Sequence, residues 1–181
     1  RHKQYIDLKI GTRKDGTITA VESRVVLDGG AYTSYGVITA YYAGSMLPTL
    51  YKIPNYVYHG TRVYTNLPAS GAFRGHGVPQ PRFAFESLLD MIADDLGLDA
   101  FEIRLRNAME PNTRTCNGLD VSSCEFRQAL ERARDTSGWR EKKGKLSPGK
   151  GIGVGCGGFV SGAGCPIYRS DFPHSNAVIR V

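Results

Sequence analysis

Long apolar runs are missing from this 181-residue chain, and none approaches the roughly 18 residues that a membrane-spanning helix needs. No signal-peptide pattern stands at the N-terminus, so a cytoplasmic protein with no membrane span is expected. Cysteine is scarce. The four residues Cys116, Cys124, Cys156 and Cys165 form no Cys-x-x-Cys pair, and no His/Cys cluster has zinc-site spacing. Free structural thiols are the expectation, and there is no cysteine pattern for an iron–sulfur cluster. Blocks of one charge are missing too. The net charge is +6, but the basic residues are scattered, and Lys142-Lys143-Gly144-Lys145 reads as a solvated linker. That distribution argues against a nucleic-acid-binding stripe. No Gly-Lys-Ser/Thr completes a nucleotide phosphate loop, and Gly71, Gly75 and Gly77 lack dinucleotide-fingerprint spacing. The chain begins at Arg1 without methionine and stops at Val181 within a strand-like run, which reads as a piece cut from a longer polypeptide.

What the chain has in quantity is glycine, with 22 residues, and tyrosine, with 10, a composition that favours turns and strands. The most informative stretch is Gly71-Ala72-Phe73-Arg74-Gly75-His76-Gly77-Val78-Pro79-Gln80. It sets one arginine and one phenylalanine in a glycine-rich loop, just ahead of an amphipathic helix over Pro81 to Leu96. Glycines let backbone N–H groups approach a ligand, and a helix N-terminus adds partial positive charge at the same place. An arginine supplies a fixed fork of donors. The loop reads as a site for an anionic, oxygen-rich ligand, against the plainer reading of a turn that only redirects the chain. His76 reads either as a packing and hydrogen-bonding residue or as part of that site.

Alternation predicts a strand over Tyr5 to Ile10, a hairpin turn at Asp15-Gly16 and a longer strand from Thr17 to Leu27. Asp28-Gly29-Gly30-Ala31-Tyr32 breaks it. A helix is expected over Ser34 to Leu50 and a third strand over Tyr56 to Thr65. Phe85, Leu88, Leu89, Ile92 and Leu96 recur at helical spacing and define one buried face, which Gly97 ends. Asp99 with Glu102 predicts a capped second helix. Ser122 with Glu125 predicts a third, reaching Thr136, with Phe126, Ala129, Leu130 and Ala133 inward and Gly138 as its stop. Residues 141–150 read as a linker between a first unit, 1–140, and the start of a second, 151–181. Gly151 to Val160 reads as a strand, Ser161 to Gly164 as a small-residue loop and Ala177 to Val181 as the opening of another strand. Strands and helices mix without regular alternation, so the fold class is α+β, antiparallel strands with packed helices.

The ordered series Asp28-Gly29-Gly30-Ala31-Tyr32, Tyr51-Lys52-Ile53-Pro54-Asn55, Thr65-Asn66, Gly71-Ala72-Phe73-Arg74-Gly75, Pro79-Gln80, Phe85-Glu86 and Glu102-x-Arg104-x-Arg106-Asn107, with the stretch ending Leu105-Arg106-Asn107 the most characteristic, spans most of the chain. It resembles the molybdenum-binding large subunit of the xanthine oxidase family of molybdenum hydroxylases. Within that family, Pro111-Asn112-Thr113-Arg114-Thr115-Cys116-Asn117-Gly118 and Val160-Ser161-Gly162-Ala163 are most similar to the 4-hydroxybenzoyl-CoA reductase branch. Tyr41-Tyr42-Ala43-Gly44 stands where eukaryotic xanthine enzymes carry a purine-binding arginine, a departure that argues for an aromatic or acyl substrate over a purine.

The resemblance implies part of the molybdenum-cofactor-binding domains, with a molybdenum–molybdopterin cofactor held along Ala72, Phe73, Arg74 and Gly75. Tyr42, His76 and Ser161 would line the substrate pocket, and no side chain would bind the metal directly. The family's catalytic glutamate and its Gly-Gln-Gly pterin loop are not in this sequence, and Glu86 is not promoted to general base. Iron–sulfur clusters and FAD are implied on partner subunits or domains of an oligomeric complex, with a small aromatic substrate hydroxylated oxidatively or dehydroxylated reductively. By itself the 181-residue piece is expected to be inactive. The competing readings are a non-catalytic scaffold of such a complex and a phosphate-ligand module unrelated to molybdenum.

Overall fold

The computed structural model describes residues 2–158 and 178–180. Strand β1 (Gln4–Thr12) pairs antiparallel with β2 (Ile18–Asp28), from Gln4 opposite Leu27 to Gly11 opposite Ala20. The turn between them is set by Asp15, whose carboxylate accepts from the Thr17 N–H and hydroxyl, both at 3.0 Å, and by Gly16 at φ +84°. Ile18, Val21, Val25 and Leu27 of β2 are buried on the core side.

The third strand, β3 (Tyr56–Val63), joins the other edge of β2 in parallel, from Val21 opposite Tyr56 to Asp28 opposite Val63. The expectation of antiparallel strands therefore holds for β1 and β2 and is corrected for β3. A parallel neighbour needs a crossover, which α1 (Gly36–Ser45) and a 3-10 turn (Leu47–Thr49) supply. The helix is shorter than the predicted span of residues 34–50. Ser34 has φ +41°, outside helical space, and Pro48 disfavours helical geometry at Leu47. Tyr56 and Tyr58 reach from β3 to donate to the Gly44 and Ala40 carbonyls of α1, at 2.9 and 2.6 Å. Gly44 is required there, because a Cβ would stand 2.2 Å from the Tyr58 ring.

Helix α2 (Pro79–Leu96) ends at Gly97, left-handed at φ +67° as expected. Its buried face is Phe85, Leu89 and Ala93, with Arg82 and Glu86 beside them; Leu88, Ile92 and Leu96 are only half-buried. Helix α3 (Ala100–Asn107) is capped by Asp99, which accepts from the Phe101 N–H at 2.8 Å. At the far end of α3 the Asn107 side chain accepts from Ile18 N–H at 2.9 Å and donates to the Gly16 carbonyl at 2.9 Å, clamping the β1–β2 turn.

A short hairpin, β4 (Thr113–Arg114) with β5 (Asp120–Val121), precedes α4 (Phe126–Ser137). The capping box predicted at Ser122 does not form. Glu125 occupies the cap without a side-chain bond, and Leu130 is the one fully buried residue of α4, with Ala129 and Ala133 exposed. Gly138, at φ +66°, leads into α5 (Trp139–Lys142). Trp139 is buried edge-on to Phe101 at 4.9 Å, and its indole N–H donates to Asp99 at 2.7 Å. Residues 151–158 form no strand with any described residue, although their alternation is real: Ile152, Val154 and Cys156 turn onto the helices. The predicted loop at Ser161 lies outside the described residues, and residues 178–180 are exposed and in no strand.

The core joins Ile18 and Val21 of the sheet to Leu47, Tyr51, Ile53, Phe85, Leu89 and Ile103, with Tyr51 stacked on Phe85 at 5.4 Å. Each such side chain contributes about 1.5–3 kcal/mol when fully buried. Inside it runs a charged network. Glu86 accepts from Arg104 Nε at 2.9 Å, from the Tyr51 hydroxyl at 2.8 Å and from the Cys156 backbone N–H at 3.1 Å. Arg104 also reaches Asp90 at 2.7 Å and the Ala100 carbonyl at 2.9 Å. Burial, reinforced by the Glu86 charge, holds the Tyr51 hydroxyl in its protonated form far above its ordinary range.

Candidate functional site

The end of β2, the start of α1, the end of β3 and the loop before α2 meet in one region, and the links are specific. Asp28 accepts from the Gly30 N–H at 3.1 Å and from the Thr65 hydroxyl at 2.6 Å. These bonds, from Thr65 first and Gly30 second, hold its carboxyl below the ordinary aspartate range. Gly29 and Ala31 donate to the Val63 and Leu67 carbonyls, and Thr65 and Ser70 donate back to Gly30 and Gly29. Arg62 donates to the Gly29 and Tyr32 carbonyls, at 2.6 Å each. The segments 28–32 and 63–70 are thus laced into a double strap. Gly30 needs its missing side chain: at φ +68° a Cβ would lie 2.2 Å from the Pro68 carbonyl oxygen.

The strap supports the loop singled out in the sequence. Arg74, Gly75, His76 and Gly77 have φ of +21°, +104°, +45° and +89°. Four successive left-handed residues, two of them not glycine, are sterically unfavourable and are seen where surrounding structure imposes them. Gly77 abuts α1 so closely that a Cβ would meet the Thr39 carbonyl oxygen at 2.3 Å. The Val78 N–H closes the turn onto the Gly75 carbonyl at 3.0 Å, and α2 begins at Pro79 with no side-chain cap. The helix macrodipole lies directly behind the loop, but its first turn offers few amides: Pro79 and Pro81 have no N–H, and the Arg82 N–H donates to the Val78 carbonyl at 3.1 Å.

Ala72 and Phe73 are exposed, Phe73 at 58 %, and Arg74 is exposed, whereas Gly75 is buried. Tyr42, buried on α1, meets the His76 ring edge-on at 5.0 Å, and the Tyr35 ring lies 5.9 Å from His76. The structure thus brings Tyr42 and His76 together beside Arg74. Ser161 lies outside the described residues. Burial lowers the affinity of His76 for a proton, partly offset by its bond to the Tyr35 backbone, and Nε2 is buried without a hydrogen-bond partner. Sequence reading missed Asp28, Thr65, Arg62 and Thr39 as supports. The signal for Asp28 was present, since aspartate ahead of glycines commonly bonds the backbone two residues on.

A cleft of about 570 Å³ elsewhere, between Thr17, Ile53, Arg106 and Thr115, contains none of the expected site residues. Among the described residues no three His, Cys, Asp or Glu side chains gather to hold a metal, and no helix is long and apolar enough to cross a membrane. The loop suits a ligand that brings its own metal ligation and presents oxygens or phosphate: an exposed guanidinium, a left-handed backbone run stripped of Cβ atoms at Gly75 and Gly77, and a helix N-terminus converge there.

The chain is 36% identical over 167 residues to the putative xanthine dehydrogenase molybdenum-binding subunit of Escherichia coli, covering 89% of this chain and 22% of that protein. It is 39% identical over 138 residues to the nicotinate dehydrogenase large molybdopterin subunit of Eubacterium barkeri, covering 75% of this chain and 32% of the relative. The solved aldehyde oxidoreductase from Desulfovibrio gigas superposes with a TM-score of 0.72 at 30% identity, over 80% of this chain and 16% of that one. The chain therefore spans about a sixth to a third of the length of these relatives. Residues 1–108 match the family described as molybdopterin cofactor-binding domain, and the chain belongs to that family.

Proposed function

We propose that this chain supplies one wall of the cofactor site in the large subunit of a molybdenum-dependent hydroxylase or dehydrogenase. The observation that carries the reading is the left-handed run 74–77 placed at the N-terminus of α2, with Arg74 in it. Arg74 would donate to an oxygen or phosphate of molybdenum–molybdopterin, and Ala72, Phe73 and Gly75 would line the group through backbone and ring. When bound, that cofactor supplies two-electron redox chemistry and oxygen-atom transfer. This chain's own part is to bind, orient and exclude water. The Tyr42 and His76 rings, in edge-on contact at 5.0 Å, would together form one aromatic wall for a flat substrate, and Ser161 would join it.

The substrate class proposed is aromatic or heteroaromatic, hydroxylated or reductively dehydroxylated. Nicotinate in the name of one relative supports a heteroaromatic ring. The finer reading, 4-hydroxybenzoyl-CoA, rests on the residues 111–118 and 160–163 alone. Residues 1–140 would close a first cofactor-binding domain, 141–150 would link it to a second, and 151–181 would open that second domain. The general base would come from outside this chain, and iron–sulfur and flavin centres from partner subunits or domains.

Molybdenum and pterin analysis of the intact protein tests the reading. Stoichiometric metal with pterin is expected. A folded intact protein that purifies free of both overturns it in favour of a scaffold. Phosphate-ligand binding that needs Arg74 but no pterin would point to an unrelated module.

A further inference from the structure

Residues 151–158 carry glycine at 151, 153, 155, 157 and 158, and all but the last have open space where a Cβ would be. The segment belongs to no helix or strand, and among the described residues none of its amides bonds to another backbone carbonyl. A glycine-rich chain of this kind has much conformational freedom to lose. Even so, it is seated: Ile152, Val154 and Cys156 pack on the helices, and the Cys156 N–H donates to Glu86 Oε2 at 3.1 Å. The acceptor is itself immobilised. Glu86 is 7 % exposed, bonded to Tyr51 at 2.8 Å and to the fully buried Arg104 at 2.9 Å.

We infer that Glu86 is a positioning residue whose carboxylate docks the glycine-rich segment 151–158 onto α2 through the Cys156 backbone N–H. The same helix carries the Arg74 loop at its first residue. Seven residues separate Pro79 from Glu86, about 10 Å of helix. The chain that continues past Gly158 is therefore launched from a point fixed relative to that loop. The inference is independent of what the loop binds. Arg104 makes it economical: by neutralising and orienting Glu86, it leaves one lone-pair direction for a donor from a distant part of the sequence.

Residue-resolved hydrogen–deuterium exchange on the intact protein tests this, because among the described residues the Cys156 N–H is the one amide of 151–158 with an acceptor. In the wild type that amide should exchange at least about tenfold more slowly than its neighbours in the segment, the order of one hydrogen bond to a charged acceptor. Cys156→Ala keeps the N–H and should keep most of that protection. Glu86→Gln, which retains an acceptor without the charge, should keep only part of it. Peptides from β2 and α3 should keep wild-type protection in both variants. An amide at position 156 that exchanges as fast as its neighbours overturns the proposal. Equal loss in Cys156→Ala and Glu86→Gln also overturns it, because thiol packing would then hold the segment. So does a rise in exchange spread over β2 and α3, which would mark general destabilisation.

Discussion

At the residue scale the region around Arg74 separates backbone strain from close contact. Gly77 and Gly97 both adopt left-handed geometry, but only at Gly77 would a Cβ meet a neighbour, the Thr39 carbonyl oxygen at 2.3 Å; Gly97 has nothing within 4 Å. Gly97→Ala should cost about 1 kcal/mol from conformation alone. Gly77→Ala should cost more, about 1–3 kcal/mol, and should shift the 71–77 loop. Urea unfolding of the two variants side by side measures the difference, and equal losses would show that the Thr39 contact yields freely. Asp28 gives a pH signature. Its carboxyl is held low by Thr65 and Gly30, so the strap bonds are complete above the ordinary aspartate range, about pH 4, and are lost as pH falls through the lower folded value. Asp28→Asn should flatten that acid-side loss, read as amide exchange of Gly30 against pH. Arg74→Ala should cut kcat/KM of the intact enzyme by on the order of 3 kcal/mol of transition-state stabilisation, with the circular dichroism spectrum unchanged. The loop residues were legible because glycine and arginine declare themselves. The buried bonds of Glu86 and Arg82 were not: Glu86 stands in the family series, but two charged residues spaced by four on a buried face carry no apolar signal, and their partners Arg104 and Met46 are distant in sequence.

At the element scale, legibility followed how local the deciding interactions are. The Gly97 and Gly138 stops and the Asp99 cap depend on a few adjacent residues, and all three form as the sequence indicates. The Ser122 box fails because α4 starts at Phe126, where the ring packs edge-on against Tyr51 at 5.5 Å; tertiary contact decided the start. Two element-scale outcomes are expected. Leu89→Ala should lower stability by about 2–5 kcal/mol, since the side chain is fully buried between sheet and helices, and an unaltered melting temperature would contradict that burial. Asp99→Ala should exceed the ~1 kcal/mol of an ordinary cap, because it also strands the Trp139 indole N–H; Trp139 fluorescence should report the change.

At the scale of the whole molecule, the α+β class could be read from the sequence, but the parallel placement of β3 could not. Strand direction depends on where the crossover α1 returns the chain, and alternation within a strand is the same either way. The pairing has a kinetic corollary. The β1–β2 hairpin closes over the short turn 13–17, whereas β3 must wait for residues 29–55 to fold back along the sheet. Closing the longer loop costs more chain entropy before any contact rewards it, so the hairpin is expected to form early and the β3 edge late. The straps around Gly30 and Thr65 hang on that edge, and the Arg74 loop rests on the straps. The end proposed to bind an anion thus acquires its shape after the hairpin, and a nascent protein passes through a stage in which the hairpin has formed while the proposed ligand cradle is still open.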